Sequence, residues 1–276
     1  MTSLLATPAR LYVNGVALWA PRLPGWERAR RILAGHEPPP LESAARPAPE
    51  LLPPTERRRA PDTVSVALEA ALSACRSAQL EPASLPCVFS SMHGDLAITD
   101  YMCATMASTP ALVSPTRFHN AVHNAAAGYW TIAADCTRPY TALSAGDQSF
   151  GAGLLEASVQ ALAGGENILL VAYDIDARGP LAPVARSKHL LACALILSPV
   201  RGAHALAGFD LRLTTRSSAD SGPAPSLARP ANAELVAGNS TESCLPFMEA
   251  LALGGRHDIL CMATPTLGLE LKLENL

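Results

Sequence analysis

Residues Ser114–Asp176 read SPTRFHNAVHNAAAGYWTIAADCTRPYTALSAGDQSFGAGLLEASVQALAGGENILLVAYDID. Residues 119–134 are alanine-rich and predict a helix, and Tyr140–Ser144 predicts a short strand. A sharp turn at 145–148 follows, then a small-residue helix over about 148–163 that Gly164-Gly165 ends. Asn167–Tyr173 (NILLVAY) is apolar throughout, as in a central strand covered on both faces. Strand, tight turn and helix in that order place Gly146, Asp147 and Gln148 on an exposed bend in front of a helix.

Outward from this stretch the chain keeps alternating. Leu11–Leu18 reads as a strand broken by an Asn-Gly turn, and residues 26–34 as a short helix. His36–Pro61 holds eight prolines and reads as a loop, because proline blocks both helix and sheet ladders. A helix begins near Thr63, its expected cap, with Val64, Leu68, Leu72 and Cys75 on one face. Leu85–Ser91 predicts a buried strand and 96–108 a helix. Leu190–Leu197 (LLACALIL) predicts a second central strand, and 209–214 a strand with one wet face. Residues 214–239 read as a flexible loop, followed by a short helix (about 242–253), a strand (258–263) and an apolar tail. The pattern is α/β with a largely parallel or mixed sheet, one domain over 1–276.

Composition narrows the function classes. Of 276 residues 49% are hydrophobic and 16% charged, and the net charge is −3; mean hydropathy is +0.18. This suits a deeply buried α/β protein or a subunit that hides apolar surface on another chain. No basic stripe exists to neutralise phosphates, which argues against nucleic acid. Arg57-Arg58-Arg59 is the one basic cluster and reads as a solvated loop, with docking of an acidic carrier protein as the alternative. No apolar run reaches the roughly 20 residues that span a bilayer, and the start lacks the marks of a signal peptide. The seven scattered cysteines, without a CxxC pair, fit reduced thiols in a cytoplasm and neither a disulfide framework nor a zinc site.

The segment resembles the β-ketoacyl synthases of the thiolase fold. Ser114-Pro115, Asn124, Ala127-Gly128, Pro139 and Ala157 fall at the family's intervals, and LLACALIL is similar to the strand that returns to the core after the central loop. The resemblance implies a thiolase-like mixed sheet layered with helices, with a complete first half and a truncated second half. In those enzymes the bend presents a cysteine. Here a gapless register puts Asp147 there, and a one-residue slip puts Gln148 there, aligning Gln148-Ser-Phe-Gly151 with the family's Cys-x-x-Gly. The second register resembles a chain length factor, the inactive partner of type II ketosynthases.

Condensation needs a thiolate, whose pKa a helix N-terminus lowers. Asp147 at that helix end is expected to stay an anion and to cap backbone N–H groups. A carboxylate or an amide forms no thioester. The histidine pair of the family's second half is also missing, since His189, His204 and His257 match neither motif. The resemblance therefore implies a catalytically silent subunit that pairs with a full-length ketosynthase. It implies a role in type II fatty acid or polyketide synthesis, specifically the aryl polyene pigments. Acyl groups would arrive on the phosphopantetheine arm of an acyl carrier protein, with no metal or organic cofactor. Gly146, Asp147, Gln148 and Phe150 would line or plug the end of an acyl tunnel. Phe118, His119, Asn120, His123, Tyr140 and Ala142 would form the dimer surface.

Competing readings attach to single residues. His119 and His123 stand i, i+4 on the expected helix, a metal-site spacing without a third ligand. Cys103 or Cys136 could serve as a displaced nucleophile in an autonomous acyltransferase or thioesterase. So could His93 and Asp95, by polarising Ser90 or Ser91 on a loop after a strand. Ser149 has no evident base.

Overall fold

A computed structural model describes residues 2–3, 8–185, 187–215 and 232–276. Ten strands form one sheet: β1 (Thr2–Ser3), β2 (Ala9–Ala20), β3 (Leu23–Pro24), β4 (Cys87–Ser90), β5 (Tyr140–Leu143), β6 (Ile168–Asp174), β7 (Leu191–Ser198), β8 (Ala207–Thr215), β9 (Arg256–Met262) and β10 (Leu267–Asn275). The order across the sheet is β5-β4-β6-β7-β2-β8-β10-β9, with β1 on β8 and β3 on β2. Among the described residues only β5·β4 and β4·β6 are parallel; the remaining pairs are antiparallel. The sheet is therefore mixed, and its parallel part is the part that carries the bend.

Helices lie on both faces: α1 (Trp26–Leu33), α2 (Pro54–Arg59), α3 (Asp62–Ala78), α4 (Leu96–Ser108), α5 (Pro115–His119), α6 (Ala125–Ala133), α7 (Ser149–Gly164), α8 (Ala182–Ala185) and α9 (Leu245–Leu253). Two apolar cores result, one per face. Helices α3 and α6 bury Val66, Leu68 and Trp130 against Phe89, Leu169, Val171 and Ile196. On the opposite face α7, α9 and α1 bury Phe150, Leu154, Phe247 and Ile32 against Val88, Leu170, Leu195 and Phe209. Every residue of β6 and β7 is buried, which is why both read as unbroken apolar runs rather than as alternation.

The structure departs from the sequence reading in several places, and the expected apolar tail is the strand β10. Asn14-Gly15 is not a turn: β2 runs straight through it with a register shift between Val13 and Gly15, a bulge. The Asn14 side chain is buried and saturated locally, donating to Asn167 Oδ1 (2.9 Å) and accepting from Gly202 N (2.9 Å), while a Cβ on Gly15 would strike the carbonyl of Ala74 in α3. Thr63 is not the cap of α3; Pro61 holds that place and the Thr63 hydroxyl donates instead to Asp95 Oδ2 at 2.7 Å. The proline-rich segment 36–61 ends in the short helix α2, which starts at Pro54, where the missing N–H costs nothing. The single helix expected over 119–134 is two, α5 and α6, separated at 120–124. Of the loop expected at 214–239, Thr214 and Thr215 close β8, Ala233–Leu235 form a 3₁₀ turn, and 216–231 lie outside the described residues.

Candidate functional site

The parallel strands β4, β5 and β6 end together, so the loops after Ser90, Leu143 and Asp174 converge at one rim of the sheet, where open α/β folds gather their functional groups. The bend after β5 is held by hydroxyls. Ser144 Oγ donates to Met92 O (2.9 Å), and Ser149 Oγ donates to Gly146 O (2.6 Å) while accepting from Ala145 N (3.0 Å). Gly146 has φ +60°, a left-handed conformation that favours glycine. Helix α7 is then pressed into the sheet. Ser90 Oγ donates to Ser149 O at 2.5 Å. A Cβ on Gly153 would lie 2.9 Å from that of Ser90, and one on Gly151 would collide with the Met262 carbonyl. Two glycines thus set how deep the helix sits.

At the tip, Asp147 is exposed and Gln148 is half-buried. Gln148 occupies the N-cap of α7 without a side-chain cap bond. The carboxylate cap expected of Asp147 is not formed, because the Ser149 hydroxyl already fills the turn. Asp147 stands instead at the lip of a ≈ 560 Å³ cavity walled by residues 233, 236–240, 242, 243, 245 and 246, among them Asn239, Ser240 and Glu242. Phe150 is 1% exposed and belongs to the core under the bend. It lines neither this cavity nor the larger groove described below.

Beneath the bend lies a polar knot centred on Asp174, which is 0% exposed. Its Oδ1 accepts from Ser91 Oγ (2.7 Å), Met92 N (3.1 Å) and His93 N (3.4 Å), and its Oδ2 from Thr241 Oγ1 (2.9 Å). Ser91 Oγ in turn accepts from Gly94 N (2.8 Å), and His123 Nε2 donates to Ser91 O (2.8 Å). Asn239 Nδ2 donates to Lys188 O (2.9 Å) and His189 O (3.0 Å), tying the cavity wall to the same rim. Burial pushes the Asp174 carboxyl above its ordinary range, opposed by these donors. Sequence reading missed this residue. Its one signal was an acid closing an otherwise apolar strand, NILLVAYD.

His119 and His123 do not share a helix: His119 ends α5 and is exposed, while the His123 ring is engaged with Ser91. Among the described residues no group of three or more His, Cys, Asp or Glu is placed to hold a metal ion. His93 and Asp95 form no dyad. Asp95 caps α4 through Ile98 N (2.9 Å) and takes the Thr63 hydroxyl, and Ser91 is sealed from solvent. Cys136 is buried, its thiol donating to Leu85 O at 3.4 Å; Cys103 is exposed on α4. Burial pushes the thiols of Cys75, Cys87 and Cys261 up to about 12, so none supplies a thiolate at neutral pH. Cys244 is raised too, first by its hydrogen bond with Cys193 and then by burial.

Of the residues expected on a dimer surface, Phe118, His119 and Tyr140 are exposed and His123 and Ala142 half-buried, but Asn120 is packed inside the chain at 3%. Asn124 Nδ2 donates to Tyr140 Oη (2.9 Å), joining α6 to the edge strand β5.

Residues 26–242 match the beta-ketoacyl synthase N-terminal domain. The chain belongs to that family. No curated protein matches the sequence. Among solved structures, the ketosynthase (ApeO) in complex with its chain length factor (ApeC) from Xenorhabdus doucetiae is 22% identical, with TM-score 0.69 over 95% of this chain and 98% of that one. The ishigamide ketosynthase/chain length factor is 14% identical, with TM-score 0.74 over 96% and 99%. AntDE:AntF, a type II polyketide acyl carrier protein in complex with its ketosynthase, is 13% identical, with TM-score 0.69 over 98% and 100%. At these identities the likeness establishes the thiolase-like ketosynthase fold. Among the described residues no helix is long and apolar enough to cross a membrane.

Proposed function

We propose that this chain is a catalytically silent, chain-length-factor-like subunit that pairs with an active β-ketoacyl synthase in a type II system, with aryl polyene synthesis as the specific assignment. The observation that carries it is the bend itself. The tip of α7, where a condensing enzyme needs a thiolate, presents an exposed carboxylate and a half-buried amide. The Sγ of Cys261 packs beside the first turn of α7, but from inside the core and as a thiol. Either register, Asp147 or Gln148, leaves the tip without a sulfur nucleophile.

Pairing is supported by the edge of the sheet. Among the described residues strand β5 is bonded on one side only, by β4, and leaves a row of backbone groups for a partner strand. On the adjoining face of α5 and α6, tied to β5 by the Asn124–Tyr140 bond, Phe118, Val122 and Ile132 are 64%, 51% and 85% exposed, a grouping that suits burial against another chain. The family resemblance supplies the rest of the reading: a full-length ketosynthase as partner, acyl groups arriving on a carrier protein's phosphopantetheine, no cofactor of the chain's own, and a cytoplasmic setting. Phe150 acts in it as the solid floor of the bend, and any acyl cavity is shaped at Asp147 and Gln148.

Two assays test this. The purified chain, given an acyl-carrier thioester and a malonyl-carrier extender, is expected to release no CO2 and form no elongated product. Co-expressed with a full-length ketosynthase of a type II cluster, it is expected to elute as a 1:1 complex. Autonomous elongation would sink the silent reading; a monomer indifferent to every ketosynthase offered would sink the pairing.

A further inference from the structure

Residues 101–116 (YMCATMASTPALVSPT) carry no charged side chain, whereas sixteen residues at the chain's average of 16% charged would carry two or three. Yet the stretch is surface. From Cys103 to Leu112 every residue but Thr105 is exposed. The cause lies in how α4 is seated. It buries only Leu96, Ile98 and Met102, all toward its start, so its last turns and the 3₁₀ turn Pro110–Leu112 stand off the body. Met106 and Leu112 are 53% and 70% exposed there. A solvated protrusion ordinarily carries charge. One that is neutral, apolar and methionine-bearing has instead the composition of an interface core, where charged residues are depleted. The protrusion is also held in shape. Tyr101 Oη accepts from Ser114 N (3.2 Å) and donates to Leu112 O (3.4 Å), and the Arg117 guanidinium lies 4.0 Å over the Tyr101 ring. One side chain of α4 thus ties down the returning segment, which leaves less ordering to be done on binding.

The base of this arm runs into the pairing face. Phe118, Val122 and Ile132 line a groove of ≈ 1000 Å³ between the segment Leu51–Arg59 and the outer sides of α5 and α6. Asn124, on the same wall, bonds Tyr140 of the edge strand. Size then argues for extension. The four residues of β5 and three apolar side chains make up about a third of the roughly 20–30 residues that each side of a standard interface uses. We infer that the arm, residues 103–112, completes that interface by entering an uncharged apolar cleft on the ketosynthase subunit. This rests on the pairing proposed above and adds how far the interface reaches and what chemistry the partner offers there. A charged partner surface would lose its hydration against the arm without gaining an ion pair, so the arm selects for a neutral one.

Cys103 is exposed within the arm and serves as its reporter. The whole chain, free and in complex with a full-length ketosynthase of a type II cluster, is treated with a bulky maleimide, and the modified Cys103 peptide is quantified by mass spectrometry. Labelling in the complex is expected to be at least about tenfold slower than in the free chain. Met106→Asp and Leu112→Asp, at side chains with little packing to lose, are expected to leave the melting temperature of the free chain unchanged and to weaken the complex at least about tenfold each. The apolar exchange Leu112→Met is expected to keep it. A complex that forms with Cys103 labelled at the free rate, or that tolerates both aspartates, overturns the inference and leaves the pairing intact. A chain that joins no ketosynthase removes the pairing and the arm's role with it. Protection of Cys103 in the chain alone, with a dimer mass by light scattering, would make the occupant a second copy and likewise overturn the inference.

Discussion

Replacing Asp174 by alanine and by asparagine separates what its carboxylate does by shape from what it does by charge. Four donors converge on it: the hydroxyls of Ser91 and Thr241, which can rotate toward other acceptors, and the amides of Met92 and His93, which cannot. Asp174→Ala strands the two amides in the interior. At about 1–3 kcal/mol for each unpaired buried donor, plus a small cavity, the loss is roughly 3–5 kcal/mol, or some 6–20 °C of melting temperature in a chain of this size. Asp174→Asn keeps one oxygen for the amides and offers an N–H that the Thr241 hydroxyl can accept. Because burial outweighs the donors and raises the carboxyl above its ordinary 3.8, removing the charge gives back desolvation, and D174N is expected within about 1 kcal/mol of the parent. The pH dependence follows the same sign. The folded state holds the Asp174 proton more tightly than the unfolded chain, so this residue's contribution to stability falls as pH rises from 3.8 through its folded value, and D174N removes that slope. Urea unfolding followed by circular dichroism at several pH values measures all three quantities. Equal losses in the two variants would show that the charge, not the acceptor geometry, organises the rim. A neutral D174A would refute the knot altogether.

Native iodoacetamide labelling is expected to modify about one thiol per chain, Cys103, with the six buried cysteines reacting only after unfolding; a second stoichiometric label at native pH would reopen the question of a displaced nucleophile. Gly151→Ala drives a methyl into the Met262 carbonyl and is expected to cost roughly 2–3 kcal/mol, whereas Gly128→Ala, in α6 with nothing near its Cβ, is expected to be neutral or to stabilise by up to about 1 kcal/mol in the same denaturation assay.

What the sequence displays well is what period and run length encode. NILLVAY and LLACALIL are legible as β6 and β7 because strands covered on both faces carry few polar residues, and the bend before α7 is legible through Gly146, because a tight turn with positive φ favours glycine. The failures share one cause: a residue whose role is set by a neighbour far along the chain. Asn14-Gly15 has the form of a turn, yet Asn167 and Gly202 satisfy its side chain and α3 requires the missing Cβ, so the strand continues. Thr63 has the form of a helix cap, but Asp95 claims its hydroxyl from 32 residues away. The histidine pair loses its helical spacing because the chain turns at 120–124 to bring the His123 ring onto Ser91. At the candidate site, Gly146, Asp147 and Gln148 were found from local pattern. The Asp174 network was not, because its donors come from two segments far along the chain, 91–93 and 241.

The placement of β2 has a consequence for how the protein is made. Residues near its start are hydrogen-bonded to β7 and β8, Tyr12 against Ser198 and Ala9 against Leu211, so the middle of the sheet cannot close until more than two hundred residues have been synthesised. Until then the nascent chain carries a long apolar strand whose two main neighbours, β7 and β8, are not yet made, and such late, non-local closure makes for slow folding and a prolonged risk of sticking to other chains. Yield on expression should therefore respond to translation rate and chaperone supply more sharply than the melting temperature of the finished protein would suggest.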